Sequence, residues 1–164
     1  MRALLIILTL ITLIGCEEDN ENMNGFNLEN QILLNLKNSD GLNLLDTSTE
    51  NSYNNESMKL FYLVNDEPIE VTIENGFNMG SLELTSDKLL KIFTNPSSSN
   101  IIEETSEYNV VENIAYLQLS PTDTDTIKTH SKTSPNYFLV SKVWYNGALV
   151  WERENGGTIK ITKE

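Results

Sequence analysis

Trp144 and Trp151, the two tryptophans of the chain, flank Asn146-Gly147 in the stretch "KVWYNGALVWER". Asn-Gly between two β-rich runs predicts a two-residue hairpin, because a type I′ turn needs positive φ at both central positions. Pairing Tyr145 with Ala148 sets Trp144 opposite Leu149 and Lys142 opposite Trp151. Both indoles, Lys142 and Arg153 then share one face, with the indoles as diagonal neighbours. If that face is exposed, it is an aromatic platform on which sugar rings can stack through their apolar C–H faces. If it is covered, the indoles are core, and Lys142 and Arg153 reach past them to water at the rim.

Other residue types offer chemistry less specifically. Asp123 and Asp125 in "SPTDTDTI" could supply oxygen ligands to Ca²⁺. An EF-type loop needs a third oxygen ligand two residues on, followed by Gly and a distant Glu. Ile127 stands at the third-ligand position, so no metal site is expected and a solvated turn entering a strand is. The single histidine, His130, cannot alone make a histidine-based zinc site. It has no G-x-S-x-G or H-E-x-x-H partner motif, and an exposed turn position is expected. "ENGGT" is glycine-rich but precedes a strand, so it lacks the helix dipole that would cradle phosphate. A carboxylate pair of glycosidase type has no fixed spacing in sequence. Glu103, Glu104, Glu107 and Glu112 fall in a polar, loop-like stretch where nothing marks two as a pair. No catalytic residue and no cofactor is therefore assigned.

The elements that must position these groups read as strands. No stretch after residue 30 keeps a helical apolar period, whereas period-two alternation recurs. "IEVTI" puts Ile69, Val71 and Ile73 on one face, and "MKLFYLV" precedes it across "NDEP", a hairpin loop with Pro68 at the strand entry. "ILLNLK", "NIAYLQL", "DTIKTH" and the C-terminal "TIKIT" are further strands. "KLLKIF" is read as strand, although Ser86 could cap a short helix there. About eight short strands with turns between them predict an all-β, antiparallel β-sandwich of immunoglobulin-like or transthyretin-like kind.

The N-terminus supplies an address. Met1 and Arg2 precede an apolar run from Ala3 to Gly15, too short to span a bilayer as a helix, which needs about 20 residues. A positive start, an apolar run and a small-residue end mark a cleaved leader. Leu13-Ile14-Gly15-Cys16 resembles the lipobox of bacterial lipoproteins. The resemblance implies diacylglycerol on the Cys16 thiol, cleavage before Cys16 and acylation of the new amino terminus. A thiol suits the alkylation because it ionises more readily than a hydroxyl, and Gly15 leaves room for the peptidase. Several acyl chains at roughly 0.8 kcal/mol per buried CH₂ make a lasting anchor.

Glu17, Glu18, Asp19 and Glu21 follow, and resemble the surface-export signal of Bacteroidota lipoproteins. Together these features imply an outer-membrane lipoprotein displayed at the cell surface. "GLNLLD", "MKLFYLVND", "DTDTIKT" and "KVWYNGALV" resemble, as a layout, small surface lipoproteins of Bacteroidota, which implies a β-sandwich and no activity. Asp125-Thr126-Ile127 resembles the O-glycosylation sequon of the same bacteria, with Thr126 as acceptor. The expected organisation is a leader over 1–15, an acylated, acidic tether over 16–30 and one domain over 31–164. A flexible 17–30 reaches on the order of 20 Å from the head groups.

Composition narrows the partners. The chain carries 11 Lys and Arg against 24 Asp and Glu, for a net charge of −13, and loss of Arg2 makes the mature chain more negative still. Phosphate backbones demand clustered cations, so no nucleic acid is expected. One cysteine, taken by lipid, leaves no intramolecular disulfide, and packing must hold the fold. The sequence thus predicts a membrane-anchored, non-enzymatic binding or interaction module whose ligand, a glycan or a protein, it does not specify. The alternatives are an accessory glycan-binding lipoprotein of a nutrient-uptake system and a two-carboxylate hydrolase.

Overall fold

A computed structural model describes residues 25–77, 82–96 and 100–164. Its strands are β1 (Asn27–Glu29), β2 (Gln31–Lys37), β3 (Lys59–Val64), β4 (Glu67–Glu70), β5 (Leu82–Leu84), β6 (Leu90–Phe93), β7 (Ile101–Glu104), β8 (Asn109–Ser120), β9 (Asp123–Ser134), β10 (Tyr137–Tyr145), β11 (Ala148–Glu152) and β12 (Ile159–Thr162). The expected all-β sandwich is the observed fold. A large sheet runs β1-β10-β9-β8-β3-β4, with β11 also on β10 and β7 also on β8, and a small sheet runs β12-β2-β6-β5. Pairing is antiparallel except at two edges, where β1 joins β10 and β12 joins β2 in parallel.

Alternation builds the core. Ile32, Leu34 and Leu36 of β2, Leu90 and Ile92 of β6, and Ile159 and Ile161 of β12 face Leu60, Leu117, Ile127, Val140 and Val143 of the large sheet in one buried cluster. The long β8–β9–β10 meander is the frame, and each of its connections is a two-residue turn. Asn65 and Asp66, both at positive φ, close the β3–β4 hairpin. Short polar side chains tolerate that region.

Three details depart from the sequence reading. β1 falls within the expected tether, and Asn30 behind it is buried, exchanging hydrogen bonds with Thr94 where the chain crosses between sheets. β4 stops at Glu70, so only Ile69 of the expected trio lies in a strand. Val71 is buried, and Ile73 is 81% exposed in a turn closed by the Gly76 amide on the Ile73 carbonyl. Pro68 sits inside β4 rather than at its entry, tolerated because β4 is an edge strand. Cys16, Glu17, Glu18, Asp19 and Glu21 lie outside the described residues. Among the described residues no helix is long and apolar enough to cross a membrane.

Candidate functional site

The hairpin at Asn146-Gly147 forms as expected, with Asn146 at φ 48° and Gly147 at φ 84°. Tyr145 pairs with Ala148 and Trp144 with Leu149, as expected, but Val143 then pairs with Trp151 and Lys142 with Glu152. Val150 is the extra residue of a β-bulge. Each step of register inverts the facing of a strand, so Trp151 joins the inward side of Val143 while Trp144 stays outward. The shared platform of Trp144, Trp151, Lys142 and Arg153 does not exist. The structure sorts those four residues onto two surfaces.

Trp144 and Lys142 belong to the outer face of the large sheet. The His130 ring lies 4.4 Å from the Trp144 ring, and Lys128 Nζ is 4.6 Å from its centroid. Glu112 holds His130 at 3.1 Å and Lys128 at 3.5 Å. His130 is therefore a half-buried member of β9 packed between an acid and an indole, and not an exposed turn residue. Lys142 pairs with Glu152 at 2.9 Å. Its pKa is raised by that hydrogen bond first and by the Glu152 charge second. Thr126 faces outward on the same sheet, half-buried beside its register partner Tyr116.

Trp151 and Arg153 line a cleft of about 630 Å³ beside Glu29, Gln31, Lys91 and Val140. The cleft opens where β2 outruns its neighbour. Pairing with β12 begins at Leu34, so Gln31–Leu33 have no strand partner on that side. Gly156 and Gly157, at φ 59° and 74°, make the turn that keeps the chain off this edge, a path that L side chains resist. The Trp151 indole donates to the Gly156 carbonyl at 2.9 Å, and Arg153 donates to the Val140 carbonyl at 3.2 Å and to the Glu29 carboxylate. The Arg153 hydrogen bond holds the Glu29 carboxyl below the usual carboxylate range, Asn27 assists, and slight burial opposes. Lys91 on the far wall bonds Glu83 at 2.6 Å. The lining thus combines a fixed aromatic ring, donors of both charged and neutral type, and one carboxylate acceptor, Glu29.

The Asp123/Asp125 pair is not a solvated turn. Asp125 is 2% exposed, and Lys163 Nζ sits 2.9 Å from Asp123 Oδ1 and 2.7 Å from Asp125 Oδ2. Tyr53 donates to Asp123 at 2.6 Å, and Tyr145 and Asn146 donate to the two oxygens of Asp125. Burial and these acceptors push the Tyr145 and Tyr53 hydroxyls far up. Burial raises the Asp123 carboxyl, but Tyr53 and Lys163 outweigh it and leave it lowered. Among the remaining acids, Glu103 and Glu104 stand exposed on β7 rather than in a loop, and Glu107 is exposed beyond it. Glu112 is engaged with Lys128 and His130. Among the described residues no three metal-ligating side chains gather.

Sequence reasoning reached Trp151 and Arg153 but missed Glu29, Gln31 and Lys91. These lie on β1, β2 and β6, which the parallel β1–β10 pairing, the antiparallel β2–β6 pairing and the packing of the two sheets bring together. Comparison with protein-family models, with curated proteins and with solved structures found no match.

Proposed function

We propose that the protein is a lipid-anchored binding module of the cell surface, and that it holds a saccharide in the Trp151 cleft. One observation carries this reading: an indole immobilised by its own N–H bond to Gly156 walls a concave site among fixed polar groups. Small-molecule sites are concavities of roughly 300–1,000 Å³ with a few placed polar groups. The negative face of an indole attracts the positive C–H face of a sugar ring. Arg153, Lys91 and Gln31 can donate to ring and hydroxyl oxygens, and Glu29 can accept from hydroxyls. Because Arg153 and Trp151 are already held, little ordering is required when a ligand enters.

The anchor rests on the sequence, through Cys16 behind an apolar leader. Two experiments test the proposal separately. Cys16→Ser should move the protein from the membrane fraction to the soluble fraction, and retention in the membrane would contradict the anchor. A screen of immobilised glycans should give binding that Trp151→Ala and Arg153→Ala abolish and Trp144→Ala spares. Binding lost equally in all three would contradict the cleft.

A further inference from the structure

Lys163, Asp125 and Asp123 meet where the end of the small sheet closes over the first residues of β9. The Lys163 amide bonds the Lys37 carbonyl at 2.7 Å, which fixes the backbone, and its side chain runs inward to end between the two carboxylates. The two oxygens of Asp125 are in unlike settings. Oδ2 faces Lys163 Nζ and the Tyr145 hydroxyl, whereas Oδ1 faces the Asn146 side-chain amide at 2.7 Å. Asp123 touches the same Nζ through one oxygen and the Tyr53 hydroxyl through the other.

We propose that this is a self-condensing site, in which Lys163 Nζ and Asp125 Cγ join as an isopeptide bond that ties β9 to the end of β12. An ammonium–carboxylate pair and an amide plus one water contain the same atoms and carry the same charge, so the step needs no outside reagent. One ammonium proton passes to Asp123, which frees the Nζ lone pair. Nζ then attacks Cγ, and the developing charge on Oδ1 is met by the Asn146 N–H, an oxyanion donor already in place. Asp123 hands its proton to Oδ2, and a second proton leaves nitrogen by the same route. The Cγ–Oδ2 bond breaks, Oδ2 departs as water, and Asp123 returns to its starting form.

Condensation is unfavourable for free groups in water, but groups held in position reach effective molarities of about 10⁵–10⁸ M. Burial of Asp125 also keeps solvent from the reverse reaction. The chain has reason to use such a link, since its single cysteine leaves no disulfide and β12 is a four-residue edge strand.

The test is mass spectrometry of a tryptic digest of the denatured full-length protein, in which lipid stays on the N-terminal peptide. Peptide 161–164, left uncut at Lys163 because trypsin does not cleave at an acylated lysine, should be found joined to peptide 92–128, one water lighter than the two together, with little free 161–163 or 92–128. Lys163→Arg keeps the charge but lacks the primary amine, and should release unlinked peptide 92–128. Asp125→Asn should give a joined product of unchanged mass, because ammonia leaves in place of water. Free 161–163 and 92–128 from the unsubstituted protein would overturn the proposal and leave Lys163 as an ion-pair partner only.

Discussion

Trp144 and Trp151 lie on opposite faces of the large sheet, parted by the single extra residue Val150. The bulge gives the molecule one indole on an open sheet face and another inside a cleft. Trp144 sits under Lys128 and beside His130. Trp151 packs against the edge of the core and is tied to Gly156. The protein's two tryptophans therefore probe different surfaces.

Asn146 does two jobs at once. Its positive φ makes the turn, and its side chain bonds Asp125 Oδ1 at 2.7 Å and the Thr126 amide at 2.8 Å. Asn146→Ala should cost roughly 2–4 kcal/mol, from a buried acceptor left unmet and an alanine forced into left-handed backbone. Asn146→Gly relieves the backbone and should recover part of that loss. Urea denaturation of both variants measures the difference, and equal midpoints would contradict the division.

Burial separates two leucines that the sequence presents as equals. Leu117 is 0% exposed and Leu149 49% exposed. Leu117→Ala should destabilise by about 2–5 kcal/mol through the lost contacts and the cavity left behind. Leu149→Ala should stay within about 0.5 kcal/mol. Chemical denaturation of the two variants checks the contrast.

Glu29 links β1 to the cleft through Arg153. Its folded pKa lies below the value of a free glutamate, chiefly because of the Arg153 hydrogen bond. The contribution of this pair is therefore complete above the ordinary carboxylate range, and is lost as pH falls through the lowered value. The protection of the Leu28 and Glu29 amides against exchange, taken relative to the intrinsic rate at each pH, should fall at acid pH, and Glu29→Gln should flatten that dependence. NMR titration of Glu29 in step with the exposed glutamates would contradict the pairing.

How much of this was legible in the residues depends on how local each feature is. Asn146-Gly147 announced its hairpin because a two-residue turn is set by two dihedral preferences. The strands "ILLNLK", "KLLKIF" and "NIAYLQL" were legible because burial on one face imposes period two. The Val150 bulge was not, since Ala148-Leu149-Val150-Trp151 alternates no differently with one extra residue than without it. Asp125 read as solvated because its ion-pair partner Lys163 and its hydroxyl donor Tyr145 stand 38 and 20 residues away in the chain. β1 and β7 hid in polar stretches, where strand formation depends on the pairing of β10 and β8 and little on their own side chains.

The saccharide cleft is tested most directly by the fluorescence of Trp151 alone. In Trp144→Phe, titration with a glycan drawn from the screen should shift and saturate the remaining emission as the ligand covers the indole. In Trp151→Phe, the same titration should leave the Trp144 emission unchanged. A response confined to Trp144 would contradict the account and move the binding surface to the outer face of the large sheet.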